Sequence, residues 1–267
     1  MDIPTITRSI STLLVGMVRA PDLIVSTEVT SISMDSRGVN KGALFIATAN
    51  DAKHRTLHLS EAIEKGAKVI LFDQLLPLSE KEIDCIALAK VQAIQVIDLS
   101  EKVSEIAARF FGHPSLALTI IAVTGTNGKT SVSHFIAQCL ESSGHACGLI
   151  GTLGIGYLRG LTDSGLTTPS PVSIQANLAK FCHQRTIYVV IEASSHALEQ
   201  GRLNSVAIDV AVLTNVSRDH LDYHKNMEAY QEAKKSLFYL DSLKTVVINM
   251  DDEFGVSLID DLTSRKE

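Results

Sequence analysis

The stretch Leu118-Thr119-Ile120-Ile121-Ala122-Val123-Thr124-Gly125-Thr126-Asn127-Gly128-Lys129-Thr130 decides the fold. Leu118 to Val123 is apolar apart from Thr119, which predicts a strand buried on both faces. The two glycines that follow let the backbone turn tightly and aim its amides at phosphate oxygens. A helix is predicted from Lys129 to Ser142, ended by Gly144. Its amino terminus adds partial positive charge at the same place. Lys129 is then set to pair with terminal phosphates, and the Thr130 hydroxyl to hold magnesium. The general phosphate-loop pattern has a further glycine where Val123 stands, so the match is to a shorter Gly-x-x-Gly-Lys-Thr form. The other meaning of such a string is a glycine turn with an exposed lysine.

Outward from this core the alternation continues. Strands are predicted at Tyr188 to Ile191, Ile208 to Leu213 and Thr245 to Ile248, with helices at Val172 to Cys182 and Met227 to Leu240. Strand and helix in turn imply an α/β fold with a parallel sheet covered on both faces. Toward the amino terminus, Ala43 to Ala47, Val69 to Phe72 and Ala93 to Ile97 read as strands. Ser60 is positioned to cap a helix from Glu61 to Lys65 that stops at Gly66. Ser100 does the same for a helix through Phe110, closed by Gly112 and His113-Pro114. That punctuation divides the chain into a small α/β domain, residues 1–112, and a larger nucleotide-binding domain, residues 113–267.

Composition narrows the function. Of 267 residues, 45% are hydrophobic and 20% charged, which argues against disorder and against a small disulfide scaffold. With 24 basic and 30 acidic residues the net charge is −6, so no nucleic-acid partner is expected. The 4 cysteines are scattered without a Cys-x-x-Cys pair, as expected of buried thiols in a reducing compartment. Met1-Asp2-Ile3-Pro4 opens no signal-peptide pattern, and no apolar run approaches the roughly 18 residues of a membrane span. A cytoplasmic protein without a membrane partner is expected.

Three further residues converge on the loop. Glu192 ends the strand Tyr188 to Ile191, at the sheet edge where parallel strands collect their ligands. A carboxylate there is placed to hold magnesium, or else is a solvated strand end. His220, in Asp219-His220-Leu221-Asp222, is a candidate metal ligand or phosphate contact, or a capping residue. Lys234 lies on the inward stripe formed by Met227, Tyr230, Leu237 and Phe238, while Lys235 is turned toward solvent. An inward lysine either snorkels or is neutralised or paired. A neutral amine can react with carbon dioxide to give a carbamate, an oxygen ligand for magnesium.

Together these stretches resemble the ATP-dependent Mur ligases of peptidoglycan synthesis. The resemblance is carried by Thr124 to Thr130, by Glu192-Ala193-Ser194-Ser195-His196-Ala197-Leu198, and by Thr214-Asn215 with Asp219 to His224, Tyr230 and Ala233-Lys234. Ser-Ser-His-Ala-Leu followed by Gln200 and Arg202 is most similar to the branch that adds meso-diaminopimelate or L-lysine to UDP-N-acetylmuramoyl-L-alanyl-D-glutamate. Other phosphate-loop ligases, such as folylpolyglutamate synthetases, and a non-catalytic nucleotide-sugar binding fragment are the alternatives. The resemblance implies that Gly125, Thr126, Asn127, Gly128, Lys129, Thr130 and Ser131 bind ATP. It implies that Thr130, Glu192, His220 and a carbamylated Lys234 surround Mg²⁺. Met34 and Ser36, in Asp35-Ser36-Arg37, match uridine-contacting positions, and Thr167, Thr168, Ser194, Gln200 and Arg202 match positions that hold the muramoyl dipeptide. The diamino acid is the second substrate, and a monomer is implied. Two departures stand out: Leu166 replaces an asparagine of some relatives, and Asn50-Asp51-Ala52-Lys53 lacks the usual Asp-Gly pair. The family has three domains, whereas Thr263 to Glu267 falls inside the second, so ligation by this chain alone is not expected.

Overall fold

The computed structural model describes residues 6–18, 26–48 and 52–264. Asn50 and Asp51, where the Asp-Gly pair is lacking, and Arg265 to Glu267 lie outside them. The chain forms two compact units, Met1–His113 and Pro114–Glu267.

In the first unit, β1 (Arg8–Ser9) pairs antiparallel with β2 (Glu28–Val29). Four parallel strands follow in spatial order: β3 (Ser31–Ser33), β4 (Ala43–Ala47), β5 (Val69–Asp73) and β6 (Gln92–Val96). All five residues of β4 are buried, as a run without polar side chains requires. The helix expected at Glu61 spans Ala52–Glu64 instead. Ser60 does not cap it, because its hydroxyl donates to the Thr56 carbonyl 3.0 Å away, one turn back inside the helix. Nor does Ser100 cap the next helix, Leu99–Phe111. There Asp73, from the end of β5, accepts from the Leu99 amide at 2.7 Å and does the capping from another strand. Gly112 closes that helix at φ 79°, as expected. The helix Glu80–Ala89 was not foreseen, although Ser79 and Glu82 form a capping box at its start.

Among its described residues the second unit has six strands: β7 (Thr119–Thr124), β8 (Cys147–Gly151), β9 (Gly154–Gly156), β10 (Tyr188–Glu192), β11 (Val210–Leu213) and β12 (Thr245–Ile248). Their order is β12-β11-β7-β10-β8-β9, and all pairs are parallel except β8 with β9. The helix Lys129–Ser142 has the expected bounds. The helix from Met227 is α only to Lys235 and continues as a 3-10 turn, Ser236–Tyr239. Tyr230, Lys234, Leu237 and Phe238 nevertheless all face inward.

Register positions the site. Glu192 of β10 is opposite Val123 of β7, and Leu213 of β11 is opposite Thr124. Because β7, β8, β10 and β11 run parallel, their carboxyl ends deliver Gly125, Thr152, Ala193 and Thr214 to one edge of the sheet. Ile120, Ile150, Ile191 and Leu213 pack behind that edge in the core. Among the described residues no helix is long and apolar enough to cross a membrane.

Candidate nucleotide and acceptor site

The loop between β7 and the helix at Lys129 takes its shape from two glycines. Gly125 has φ 147°, and a Cβ there would lie 1.9 Å from Thr214 Oγ1. Gly128, at φ 84°, opens the helix. The end of β11 ties the loop down. The Thr126 amide donates to the Asn215 carbonyl at 2.7 Å, and the Asn127 amide to Asn215 Oδ1 at 3.1 Å. In return, Thr214 Oγ1 and Asn215 Nδ2 donate to the Asn127 carbonyl at 2.7 and 3.0 Å. Lys129 Nζ donates to the carbonyls of Gly125 and Thr126 at 2.8 and 3.0 Å. Burial pushes this ammonium below its usual range, while Glu192 and Asp219 pull it back up.

Glu192 is 1% exposed, so the solvated strand end is excluded. Its carboxylate collects three donors. Thr130 Oγ1 and Thr152 Oγ1 reach Oε2 at 2.8 and 3.0 Å, and the Thr152 amide reaches Oε1 at 3.1 Å. A Cβ on Gly151 would stand 2.2 Å from Oε1, so this glycine makes room for the carboxylate. Thr130 and Glu192 thus bring two hard oxygen donors into contact at a helix amino terminus, a set that suits magnesium. Lys234 is fully buried, with Nζ donating to the Gly125 carbonyl at 2.9 Å and 4.5 Å from the centre of the Tyr230 ring. Burial, reinforced by the charge of Lys129, pushes it down to about 7. Its burial excludes snorkelling.

His220 Nε2 lies 3.5 Å from the Asp219 carboxylate. It is in left-handed backbone at φ 51°, with its ring edge-on to His196 at 4.9 Å. Lys235 is not free in solvent as expected but forms an ion pair with Asp261. Among the described residues no group of three His, Cys, Asp or Glu side chains is placed to hold a metal.

Beside Glu192 lies a row of hydroxyls and one guanidinium. Thr168 Oγ1 donates to the Glu192 carbonyl at 2.6 Å and to Ser194 Oγ at 3.1 Å. Arg202 donates to the Thr168 carbonyl at 2.5 Å and to Gln200 Oε1 through Nε and Nη2. Gln200 Nε2 donates to the Tyr223 hydroxyl at 2.9 Å. Thr167 joins through Thr152, whose Oγ1 donates to its hydroxyl at 3.0 Å. The sequence reading missed Thr152 and the β8–β9 hairpin that carries it. Gly151-Thr152-Leu153-Gly154, directly after the apolar pair Leu149-Ile150, was the available signal. It also gave no role to His224, which is fully buried with Nε2 2.9 Å from Ser195 Oγ. Its Nδ1 lies 3.5 Å from Glu199 without hydrogen-bond geometry, and burial holds the ring below the usual histidine range.

In the first unit, Met34 lines a cavity of about 200 Å³ together with Phe45, Thr48, Arg55 and His58. Ser36 is buried, its hydroxyl donating to Glu61 at 2.6 Å and lying 3.1 Å from His58 Nδ1. Arg55 is spent on the fold, paired through Nε and Nη2 with buried Glu82.

Residues 123–267 match the model of the Mur ligase middle domain, and residues 28–111 match that of the Mur ligase family catalytic domain. The chain belongs to the Mur ligase family. A UDP-N-acetylmuramoyl-L-alanyl-D-glutamate--2,6-diaminopimelate ligase from Pseudomonas putida is 43% identical over 237 residues, covering 89% of this chain and 47% of that protein. Its namesake from Xylella fastidiosa is 40% identical over 252 residues, covering 94% and 49%. A solved structure of a ligase with that same name superposes at TM-score 0.79 with 33% identity, covering 97% of this chain and 50% of the other. MurF from Acinetobacter baumannii, at 18% identity and TM-score 0.65, shares the fold. The chain spans about half the length of the curated relatives it matches.

Proposed function

We propose that this Mur ligase chain binds ATP and UDP-N-acetylmuramoyl-L-alanyl-D-glutamate for an ATP-dependent ligation that adds a diamino acid. The names of its relatives favour diaminopimelate over L-lysine as that amino acid. One observation carries the reading: Glu192 receives Thr130 from the phosphate loop, and its own carbonyl receives Thr168 from the acceptor row. In this reading nucleotide and acceptor meet at one residue, the first beside the Glu192 carboxylate and the second beside its main-chain carbonyl.

ATP supplies the phosphoryl group that turns the D-glutamate side-chain carboxylate into an acyl phosphate, and Mg²⁺ offsets its charge. The chain's own residues do the rest. The loop residues Gly125 to Ser131 form the phosphate cradle, in which the amides of Gly128 to Ser131 at the helix start and the Lys129 ammonium bind the phosphates. Thr130, Glu192 and a carbamylated Lys234 offer oxygen ligands, with His220 at the rim. Thr167, Thr168, Ser194, Gln200 and Arg202 orient the dipeptide carboxylates, which brings the acceptor oxygen within reach of the phosphoryl group. Met34 and Ser36, beside the cavity in the first domain, take the uridine end. In this reading residues 1–112 and 113–267 are the two functional domains of a cytoplasmic monomer, with no nucleic-acid or membrane partner.

Calorimetric titration with the muramoyl dipeptide, UDP-glucose and folate tests the proposal. The muramoyl ligand is expected to bind tightest, and equal or absent binding of it would overturn the reading.

A further inference from the structure

The donors around Glu192 form a chain of side chains across the sheet edge. Thr130, in the first turn of the phosphate-loop helix, donates to Glu192 Oε2 at 2.8 Å. Thr152 is in contact with the same oxygen at 3.0 Å and, on its other side, with Thr167 Oγ1 at 3.0 Å. Thr152 sits in the two-residue turn between β8 and β9, where Gly151 pairs with Gly154. That tight turn and the hydrogen bond from the Thr152 amide N–H to Glu192 Oε1 fix where its hydroxyl lies.

Thr152 has one hydroxyl proton and two acceptors at equal distance. It can satisfy Glu192 or Thr167 fully, not both. When Glu192 Oε2 turns a lone pair toward a cation, it becomes a poorer acceptor for Thr152. The proton then goes to Thr167. Thr167, accepting from Thr152, has its own proton free to donate to an anionic ligand. The reverse order works equally: an anion that orients Thr167 draws the Thr152 proton away and frees a lone pair on Glu192.

We propose that Thr152 is a positioning residue that couples the nucleotide site to the acceptor site through its single hydroxyl proton. The proposal rests on the ligand assignment made above. It needs no movement of the backbone, only the reassignment of one proton among Glu192, Thr152 and Thr167.

Coupling is reciprocal, so it can be read from binding alone. A non-hydrolysable ATP analogue with Mg²⁺ is titrated with and without saturating UDP-N-acetylmuramoyl-L-alanyl-D-glutamate, and the muramoyl ligand with and without the analogue. In the unaltered protein each ligand is expected to raise the other's affinity about fivefold or more, by the same factor in both orders. Thr152→Val keeps the shape and the amide but removes the proton, and should reduce that factor to within about twofold of one. Thr152→Ser restores the proton and should restore the factor. Unchanged coupling in Thr152→Val, or loss of coupling in Thr152→Ser as well, would overturn the proposal. Two ligands that bind the unaltered protein independently would overturn it while leaving the proposed function standing. Failure of the muramoyl ligand to bind at all would instead remove the proposed function, and the coupling with it.

Discussion

Lys234 Nζ donates to the carbonyl oxygen of Gly125 at 2.9 Å, which joins the helix at Met227–Lys235 to the first residue of the phosphate loop. The carbonyl and the Tyr230 ring hold the cation, yet burial and Lys129 push it down to about 7. Near neutral pH this side chain is divided between ammonium and amine, and only the amine captures carbon dioxide.

The carbamate is therefore expected to grow as pH rises through 7. Carbon-13 NMR of the protein under a fixed dissolved ¹³CO₂ concentration should show a carbamate signal that is weak at pH 6 and strong at pH 8. Lys234→Ala should abolish it and Lys235→Ala should not, because Lys235 is engaged with Asp261 elsewhere. A signal lost equally in both variants would defeat the assignment. The sign for stability is the same. The folded pKa lies below the ordinary 10.5, so the unfolded chain holds more protons between about 7 and 10.5, and Lys234 makes stability rise with pH there.

Gly125→Ala is expected to cost about 1–3 kcal/mol of stability for the backbone conformation alone, before any clash is relieved. The added Cβ meets Thr214 Oγ1 and the Asn215 carbonyl, the groups that hold the loop. Denaturant unfolding should show the loss, and nucleotide titration should show weakened binding. A variant with native stability and native nucleotide affinity would mean that the loop does not need this glycine.

Arg202→Lys should weaken muramoyl-ligand binding roughly tenfold, the value of about one charged hydrogen bond, and leave nucleotide affinity in place. The lysine cannot contact the Thr168 carbonyl and Gln200 Oε1 together as the guanidinium does. Calorimetry with each ligand separately distinguishes this from a general loss of folding.

The buried pair Arg55 and Glu82 sets an acid limit for the first domain. Burial pushes the Glu82 carboxyl up, but Arg55 and the donors of Ser79 outweigh it and hold it at about 2. Its folded pKa is below the ordinary 4.5, so its contribution is complete above 4.5 and disappears as pH falls toward 2. The loss amounts to about 3 kcal/mol. Glu82→Gln should flatten this part of the stability profile, measured by denaturant unfolding between pH 2 and pH 6. A profile that keeps its slope without Glu82 would place the acid sensitivity elsewhere.

What the sequence disclosed and what it hid follow from how local each signal is. The run Leu118 to Val123 and the glycines after it need only near neighbours, so β7, displaced by one residue to Thr119–Thr124, and the helix at Lys129 were legible. The inward turn of Lys234 followed from helical spacing. Lys235 did not, because its partner Asp261 lies on a helix with no local tie to it. Ser60 and Ser100 looked like caps because serine prefers that role. Tertiary contacts decided otherwise: Asp73 reached the Leu99 amide from a neighbouring strand. Thr152 was invisible for a similar reason. Its meaning depends on Glu192, 40 residues away, and on Thr167, 15 residues away.

The ties from Thr214 and Asn215 to the phosphate loop carry a consequence for how a nucleotide is received. Those hydrogen bonds belong to the fold, so the loop has little conformational freedom left to lose when phosphates arrive. Preorganisation of this kind lowers the entropic cost of association. It also makes the cradle selective by shape. A loop held from the side by Thr214 and Asn215 has to break those hydrogen bonds to widen for a bulkier anion.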